Sequence, residues 1–286
     1  MHMSQSPPHG PRALKDEDLE RYARHIVLRE VGGAGQAKLL RARVLVVGAG
    51  GLGSPLILYL AAAGVGTIGI ADFDRVSLSN LQRQIAHRTQ DVGRLKTESA
   101  SDTAHAINPG VKLVPHAERL TSGNVASILA DYDIVADGSD NFATRFLLND
   151  ASHFGKKTLV SAAVTEFDGQ LATYRAWDRT ARNPCYRCLF PEIPPPDLAP
   201  NCSETGVLGA VAGVMGTLQA VEVLKEILGI GDRMAGRLLI YDALGTQFRT
   251  VKVSPDPACR LCGETPTILD LALHRVPADP VCLTGI

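Results

Sequence analysis

Two pairs of cysteines, Cys185-x-x-Cys188 and Cys259-x-x-Cys262, carry the most specific chemistry in this sequence. Each C-x-x-C is a hook of two thiolates, and two hooks make a closed tetrahedral site for Zn²⁺. The 70 residues between Cys188 and Cys259 mean that the metal would join distant parts of one fold. Such a site is a structural staple, with binding energy on the order of 10 kcal/mol, and its full coordination leaves no open position for catalysis. A redox C-x-x-C would need a single pair beside a βαβ unit, whereas these pairs lie at turns marked by Pro184, Pro257 and Gly263. Cys202 precedes a long apolar helix, where a helix N-terminus would lower a thiol pKa, so a sulfur nucleophile and a bystander thiol are both open readings. Cys282 sits in an unpatterned tail and receives no role, and the eight histidines form no spaced pair that suggests a ligand set.

The second signal is Gly48-Ala49-Gly50-Gly51-Leu52-Gly53, a G-x-G-x-x-G loop between an expected strand and an expected helix. Without Cβ atoms the backbone can approach a phosphate, and free N–H groups at the positive end of a helix face its charge. Asp72, at the end of the next strand, is placed to accept hydrogen bonds from ribose hydroxyls. Loop and acid alone would serve NAD(P) in an oxidoreductase. Asn80, Arg83 and Lys96 follow closely, however, and a triphosphate benefits from added Arg and Lys donors and Mg²⁺ far more than a dinucleotide pyrophosphate does. Asp140 and Asn141 fall at the carboxyl end of a later strand, where Asp140 suits either a helix cap or an Mg²⁺ ligand.

The elements that must position these residues alternate. Val44–Val47, Thr67–Ala71, 111–115, 134–136 and a run opening at Leu159 read as strands; 56–63, 96–107, 125–129 and 142–154 read as helices. The fold class expected is α/β: a Rossmann-like, mostly parallel sheet covered on both faces. Strands at 170–174, 238–242 and 248–253, with a long helix over 206–228, predict an antiparallel C-terminal extension of the same sheet. Residues 18–40 read as a helix, a turn and a short second helix, and 268–274 as a short helix. The proline-rich stretch 190–201 reads as a mobile connection or a lid. The organisation expected is a flexible tail over 1–13, one ATP-binding domain over 14–265 with its zinc-stapled lobe, and a tail over 266–286.

Composition narrows the function classes. With 286 residues, 45% hydrophobic and 21% charged, the chain is a folded globular protein. Its 29 basic and 30 acidic residues give a net charge of -1, which speaks against nucleic acid or an anionic membrane as the main partner. The apolar stretch 206–221 is too short and glycine-broken to span a bilayer, and the first residues hold no signal-like apolar core, so a cytoplasmic location is expected.

Several motifs in one order complete the reading: Arg21-Tyr22-x-Arg24-His25-Ile26, Gly48 to Gly53, Asp72-Phe73-Asp74, Ser79-Asn80-Leu81-Gln82-Arg83-Gln84, Lys96, Asp140-Asn141 and the two cysteine hooks. Over roughly Asp18 to Glu264 the chain resembles the MoeB/ThiF-type adenylyltransferases, bacterial relatives of the ubiquitin-activating enzymes. The resemblance implies transfer of AMP from Mg-ATP to the C-terminal Gly-Gly carboxylate of a ubiquitin-like sulfur-carrier protein, with release of pyrophosphate. It implies that Gly48, Gly50, Gly51 and Gly53 form the ATP loop and that Asp72 binds ribose. Ser79, Asn80, Leu81, Gln82, Arg83 and Lys96 would serve the nucleotide, with Asn80, Arg83 and Lys96 on its phosphates. Asp140, beside Asn141, would ligate Mg²⁺. It further implies a homodimer in which Arg24 enters the neighbouring subunit's ATP site, and a Cys202 that takes sulfur in only some members. About 22 residues follow Glu264, too few for a fused sulfurtransferase domain, so the expected sulfur donor is a separate rhodanese or cysteine desulfurase. A non-catalytic module that only binds a ubiquitin-like tail is the remaining alternative, although it would have no use for the phosphate-handling set.

Overall fold

The computed structural model describes residues 14–193 and 206–275. Its centre is an eight-stranded sheet of order β3-β2-β1-β4-β5-β6-β7-β8, built from β1 (Arg43–Val47), β2 (Thr67–Ala71), β3 (Lys112–His116), β4 (Ile134–Asp137), β5 (Thr158–Thr165), β6 (Asp168–Tyr174), β7 (Arg237–Asp242) and β8 (Gln247–Lys252). Neighbours from β3 through β5 run parallel, and β5 to β8 pair antiparallel. The expected α/β class and the antiparallel extension are therefore both present.

The period of two along the central strands builds two cores. Val44 and Val46 of β1 point into a cluster with Leu56, Ile57 and Leu60 of α4 (Gly53–Ala62), Ala100 and Ala104 of α5 (Lys96–Ile107), and Met215 and Val223 of α9 (Gly209–Leu228). Leu45 and Val47 point the other way, against Val125 and Leu129 of α6 (Val125–Ala130) and Phe146 and Leu148 of α7 (Phe142–Phe154). A sheet covered on both faces needs strands without polar alternation, which is why β1 and β4 read as continuous apolar runs. At the far edge β8 is exposed along its whole length and carries Arg249 and Lys252, charges that suit an uncovered edge.

Three local expectations change. Residues 16–39 form three short helices, α1 (Asp16–Arg21), α2 (Ala23–Ile26) and α3 (Gly32–Leu39), rather than two. The break falls at Tyr22, which is buried and whose hydroxyl accepts a hydrogen bond from Asn108 Nδ2 at 2.8 Å. The expected helix over 268–274 shrinks to a 3-10 turn at Ala272–His274, because the Thr267 and Ile268 N–H groups both bond to the Arg260 carbonyl instead. Cys185-x-x-Cys188 enters a short helix, α8 (Tyr186–Leu189), that periodicity did not signal. Residues 194–201 of the expected lid segment, and Cys202, lie outside the described residues. Among the described residues no helix is long and apolar enough to cross a membrane.

Candidate nucleotide site

In the strand order 3-2-1-4-5 the chain direction of the crossovers reverses between β1 and β4, and the carboxyl ends of the strands diverge there into a crevice. Gln219 of α9 braces the opening from beneath: its buried Nε2 donates to the Asp137 carbonyl of β4 at 2.8 Å and to the Val160 carbonyl of β5 at 3.0 Å.

The glycine loop forms the floor. Gly48 has φ +90°, a value that disfavours a side chain, and its N–H bonds to the Ala71 carbonyl of β2 at 2.8 Å. A Cβ at Gly53 would run into the Gly48 carbonyl, so the turn into α4 closes only with glycine there. Gly48, Gly50, Gly51, Asp72, Arg83, Lys96, Asp140 and Asn141 all line one cleft over this loop. Asp72 spans from the loop to its own strand end: Oδ2 accepts the Ala49 N–H and Oδ1 the Asp74 N–H, each at 2.8 Å. Burial, opposed by the nearby Lys96 ammonium, pushes the Asp72 carboxyl above the usual carboxylate value. Lys96 is buried at the start of α5, and its Nζ meets Asp74 Oδ2 at 2.9 Å. Arg83 packs against Gly51 and donates from Nη1 to the Ser79 carbonyl at 3.1 Å.

Across the cleft, β4 ends in Asp137-Gly138-Ser139-Asp140-Asn141. Asp137 is fully buried and anchors this turn: Oδ1 accepts from the Ser139 N–H and hydroxyl at 2.9 and 2.6 Å, and Oδ2 accepts from the Ser161 hydroxyl at 2.9 Å. Asn141, not Asp140, caps α7, its side chain accepting from the Thr144 N–H at 2.9 Å. Asp140 is exposed to the cleft, where its carboxylate can meet a cation. Sequence reasoning missed the anchoring role of Asp137, since its burial comes from packing across the sheet and no local pattern carries it. It also missed Arg145, which lines the cleft and donates to the Ser139 carbonyl at 2.9 Å, and Arg119, stacked 4.1 Å above the Phe73 ring on the rim.

Six residues expected at the nucleotide are not brought to this cleft within one chain; one of them, Gly53, lies outside the lining at the start of α4 and serves the turn instead. Arg24 is exposed on α2, outside the cleft lining. Ser79, Asn80, Leu81 and Gln82 also stand outside the lining, with Asn80 Oδ1 accepting the Ser77 N–H at 3.2 Å to cap its own 3-10 turn.

The four cysteines do come together. Sγ atoms lie 3.9 Å apart for Cys185 and Cys188, 3.6 Å for Cys185 and Cys259, and 3.4 Å for Cys188 and Cys262, and all four fall within 4.8 Å of one another. Their mutual thiol hydrogen bonds push Cys188 and Cys259 down and Cys185 and Cys262 up. Four thiolates this close cannot all ionise without a cation among them, and an all-sulfur tetrahedral donor set fits Zn²⁺. Around the cluster Ala176, Leu261 and Ile268 form a core too small to hold the lobe by apolar burial alone.

The sheet order, the phosphate-type glycine loop and the four-sulfur cluster define an α/β nucleotide-binding protein whose C-terminal lobe gathers four cysteines that could hold a metal ion. Residues 22–261 match the ThiF family, and the chain belongs to that family. It is 49% identical over 256 residues to the sulfur carrier protein adenylyltransferase of Thermus thermophilus, covering 89% of this chain and 94% of that protein. It is 48% identical to the SAMP-activating enzyme E1 of Haloferax volcanii, over 88% of this chain and 92% of that one. With the adenylyltransferase and sulfurtransferase MOCS3 of Culex quinquefasciatus it shares 48% identity over 90% of its own length, but it spans only 58% of that relative. Among solved structures, E. coli MccB with ATP superposes with a TM-score of 0.73 at 20% identity, over 85% of this chain and 74% of MccB, a likeness of fold.

Proposed function

We propose that this chain is an adenylyltransferase that joins AMP to the C-terminal Gly-Gly carboxylate of a ubiquitin-like sulfur carrier. The observation that carries the reading is the convergence of the glycine loop, Asp72, Arg83, Lys96 and Asp140 on one crevice, in a chain with near half identity to a sulfur carrier adenylyltransferase over almost its whole length.

The chemistry needs no general base, because a carboxylate is already an anionic nucleophile. Its oxygen attacks the α-phosphorus of ATP. The bond from that phosphorus to the bridging oxygen breaks, and the electron pair leaves on pyrophosphate, giving a carrier acyl-adenylate. The barrier lies in bringing two anions together and stabilising the departing charge. Loop N–H groups, Arg83 and Lys96 supply fixed positive charge for this, and Asp74 keeps the Lys96 ammonium at the cleft wall. Asp72 takes the ribose hydroxyls. Asp140 would hold Mg²⁺, which spreads the phosphate charge when bound, and the four cysteines would hold structural Zn²⁺. A homodimer would bring Arg24 of one subunit to the cleft of the other, which accounts for its exposure on α2. Sulfur would come from a separate donor protein, and Cys202 would be the residue to receive it in members that form a covalent carrier link.

Exchange of labelled pyrophosphate into ATP, dependent on a Gly-Gly carrier, tests the reading directly. Absence of exchange across a panel of small Gly-Gly proteins, together with tight NAD binding, would return the site to an oxidoreductase.

A further inference from the structure

Beneath the glycine loop lies a buried histidine that the adenylylation chemistry leaves unused. His87 is 6% exposed and sits behind the loop rather than in the cleft lining. Its Nε2 lies 2.9 Å from the Ala49 carbonyl oxygen. The Ala49 N–H is held from the other side by Asp72 Oδ2 at 2.8 Å. Residue 49 is thus fastened at both of its peptide groups. A carbonyl oxygen only accepts, so Nε2 must carry a proton. Nδ1 then lies 2.9 Å from Ser99 Oγ, whose one hydroxyl proton is shared between Nδ1, an acceptor in the neutral ring that burial favours, and Asp91 Oδ2 at 3.0 Å. Burial pushes the Asp91 carboxyl up, but the Arg88 N–H at 2.9 Å and the hydrogen bonds from Ser99 and Arg94 hold it lower than usual, so it stays an acceptor.

We propose that His87 is a positioning residue for nucleotide binding, fixing the Ala49–Gly50 peptide plane so that the Gly50 N–H faces the phosphates. The inference rests on the ATP reading of the cleft. In a trans peptide the C=O and the following N–H point in opposite directions. No cis peptide occurs among the described residues, so a carbonyl drawn back to His87 turns the Gly50 N–H forward, and Gly50 lines the cleft. Glycine at position 50 also makes the opposite arrangement accessible, since a peptide next to glycine can flip with little steric penalty. A flipped plane would aim a carbonyl oxygen at an anionic ligand. The bond from His87 removes that state. His87 itself is fixed through Ser99, three residues after Lys96 on the same helix, which ties the loop's donor and the cleft's ammonium to α5.

The test is calorimetric ATP binding to the full-length protein, alongside steady-state pyrophosphate exchange. His87→Phe keeps a planar ring and loses the donor; His87→Gln keeps an N–H near the Nε2 position. The expected result is a rise of about tenfold or more in the ATP Kd and KM for His87→Phe, with kcat within about threefold of wild type and most of the affinity recovered in His87→Gln, since the loss is one donor to a charged ligand. Ser99→Ala, which frees only the far side of the ring, should show a smaller rise. Zinc content and the thermal midpoint check folding, and if His87→Phe fails to fold, Ser99→Ala carries the test. Wild-type ATP affinity in a folded His87→Phe overturns the proposal, as does equal loss in His87→Phe and His87→Gln, which would indicate packing. Wild-type protein that binds ATP without carrier-dependent exchange would instead overturn the adenylylation reading and leave the loop inference standing.

Discussion

Asp140 and Asn141 are neighbours that divide two tasks a single residue would otherwise share. Asn141 spends its side-chain oxygen on the Thr144 N–H, satisfying one of the free donors at the start of α7, while Asp140 keeps its carboxylate in the cleft. Removing each should therefore give opposite signatures. Asn141→Ala loses a helix cap and should cost about 1 kcal/mol of stability. Asp140→Ala should leave the melting temperature unchanged and reduce pyrophosphate exchange by about a hundredfold, the scale of one electrostatic partner in a transition state. Arg83→Ala should fall with Asp140→Ala, since one charged hydrogen bond to phosphate is worth about 1.5–3 kcal/mol. Near-normal exchange in either cleft variant, measured with saturating carrier, would take that side chain out of the site. The spacing of Asp140-Asn141 at a strand end was enough to mark the pair; which of them caps was a matter of backbone geometry one residue either way.

At the scale of elements, α7 and the cysteine lobe are joined by one buried ionic cluster. Arg187, between the first two cysteines, donates to Asp150 of α7 from Nε at 2.8 Å and Nη2 at 2.7 Å, and His274 Nε2 donates to the same carboxylate at 2.7 Å. Asn149 Oδ1 accepts the Tyr186 N–H at 2.8 Å beside it. Asp150→Asn would leave the Arg187 guanidinium buried and half-paired, which should cost about 3–5 kcal/mol in urea unfolding while zinc remains bound. The pH dependence has a definite sign. Burial pushes the Asp150 carboxyl up, but hydrogen bonds from His274 and Arg187 outweigh it and bring it below its ordinary value. Its contribution is then present above the unfolded carboxylate value of about 3.9 and is lost as pH falls through the folded one. Wild-type stability should consequently drop more steeply than that of Asp150→Asn in this acid range; parallel curves would remove the cluster from the linkage. Nothing in the sequence pointed to this cluster, because its members are local nowhere. The same holds for Tyr22, whose contact with Asn108 splits the first helix, and for His87. By contrast α5 and α7 were legible to the residue, since strand ends, caps and apolar period all act within a few positions. Motifs disclosed the loop, Asp72 at the cleft and the cysteine hooks for that reason, while residues that hold the surrounding backbone, Asp137, Gln219 and His87, answer to packing across the sheet.

For the whole molecule two dependencies reach beyond the cleft. The first is the metal: the cysteine lobe has only a small apolar core, so Cys259→Ser should yield protein without bound zinc and with a lowered thermal midpoint, measured by metal analysis and melting. Metal-free wild type of equal stability would defeat the staple. The second is assembly. Within one chain the cleft gathers Arg83 and Lys96 but not Arg24, which stands exposed on α2. If Arg24 serves the partner's cleft, every dimer contains two composite sites, each built from the cleft of one subunit and the arginine of the other. Arg24→Ala and Lys96→Ala homodimers would then each be inactive, since both of their sites lack one member. A mixed dimer differs: the Lys96→Ala cleft faces the Arg24→Ala subunit and lacks both groups, while the intact Lys96 cleft meets an intact Arg24. One site in two is complete. Co-expression and mixing at equal ratio should produce about half of all dimers as heterodimers, each with one working site, and hence about a quarter of wild-type exchange per subunit. Activity no greater than the sum of the two parents would place Arg24 in its own subunit's chemistry or outside it altogether.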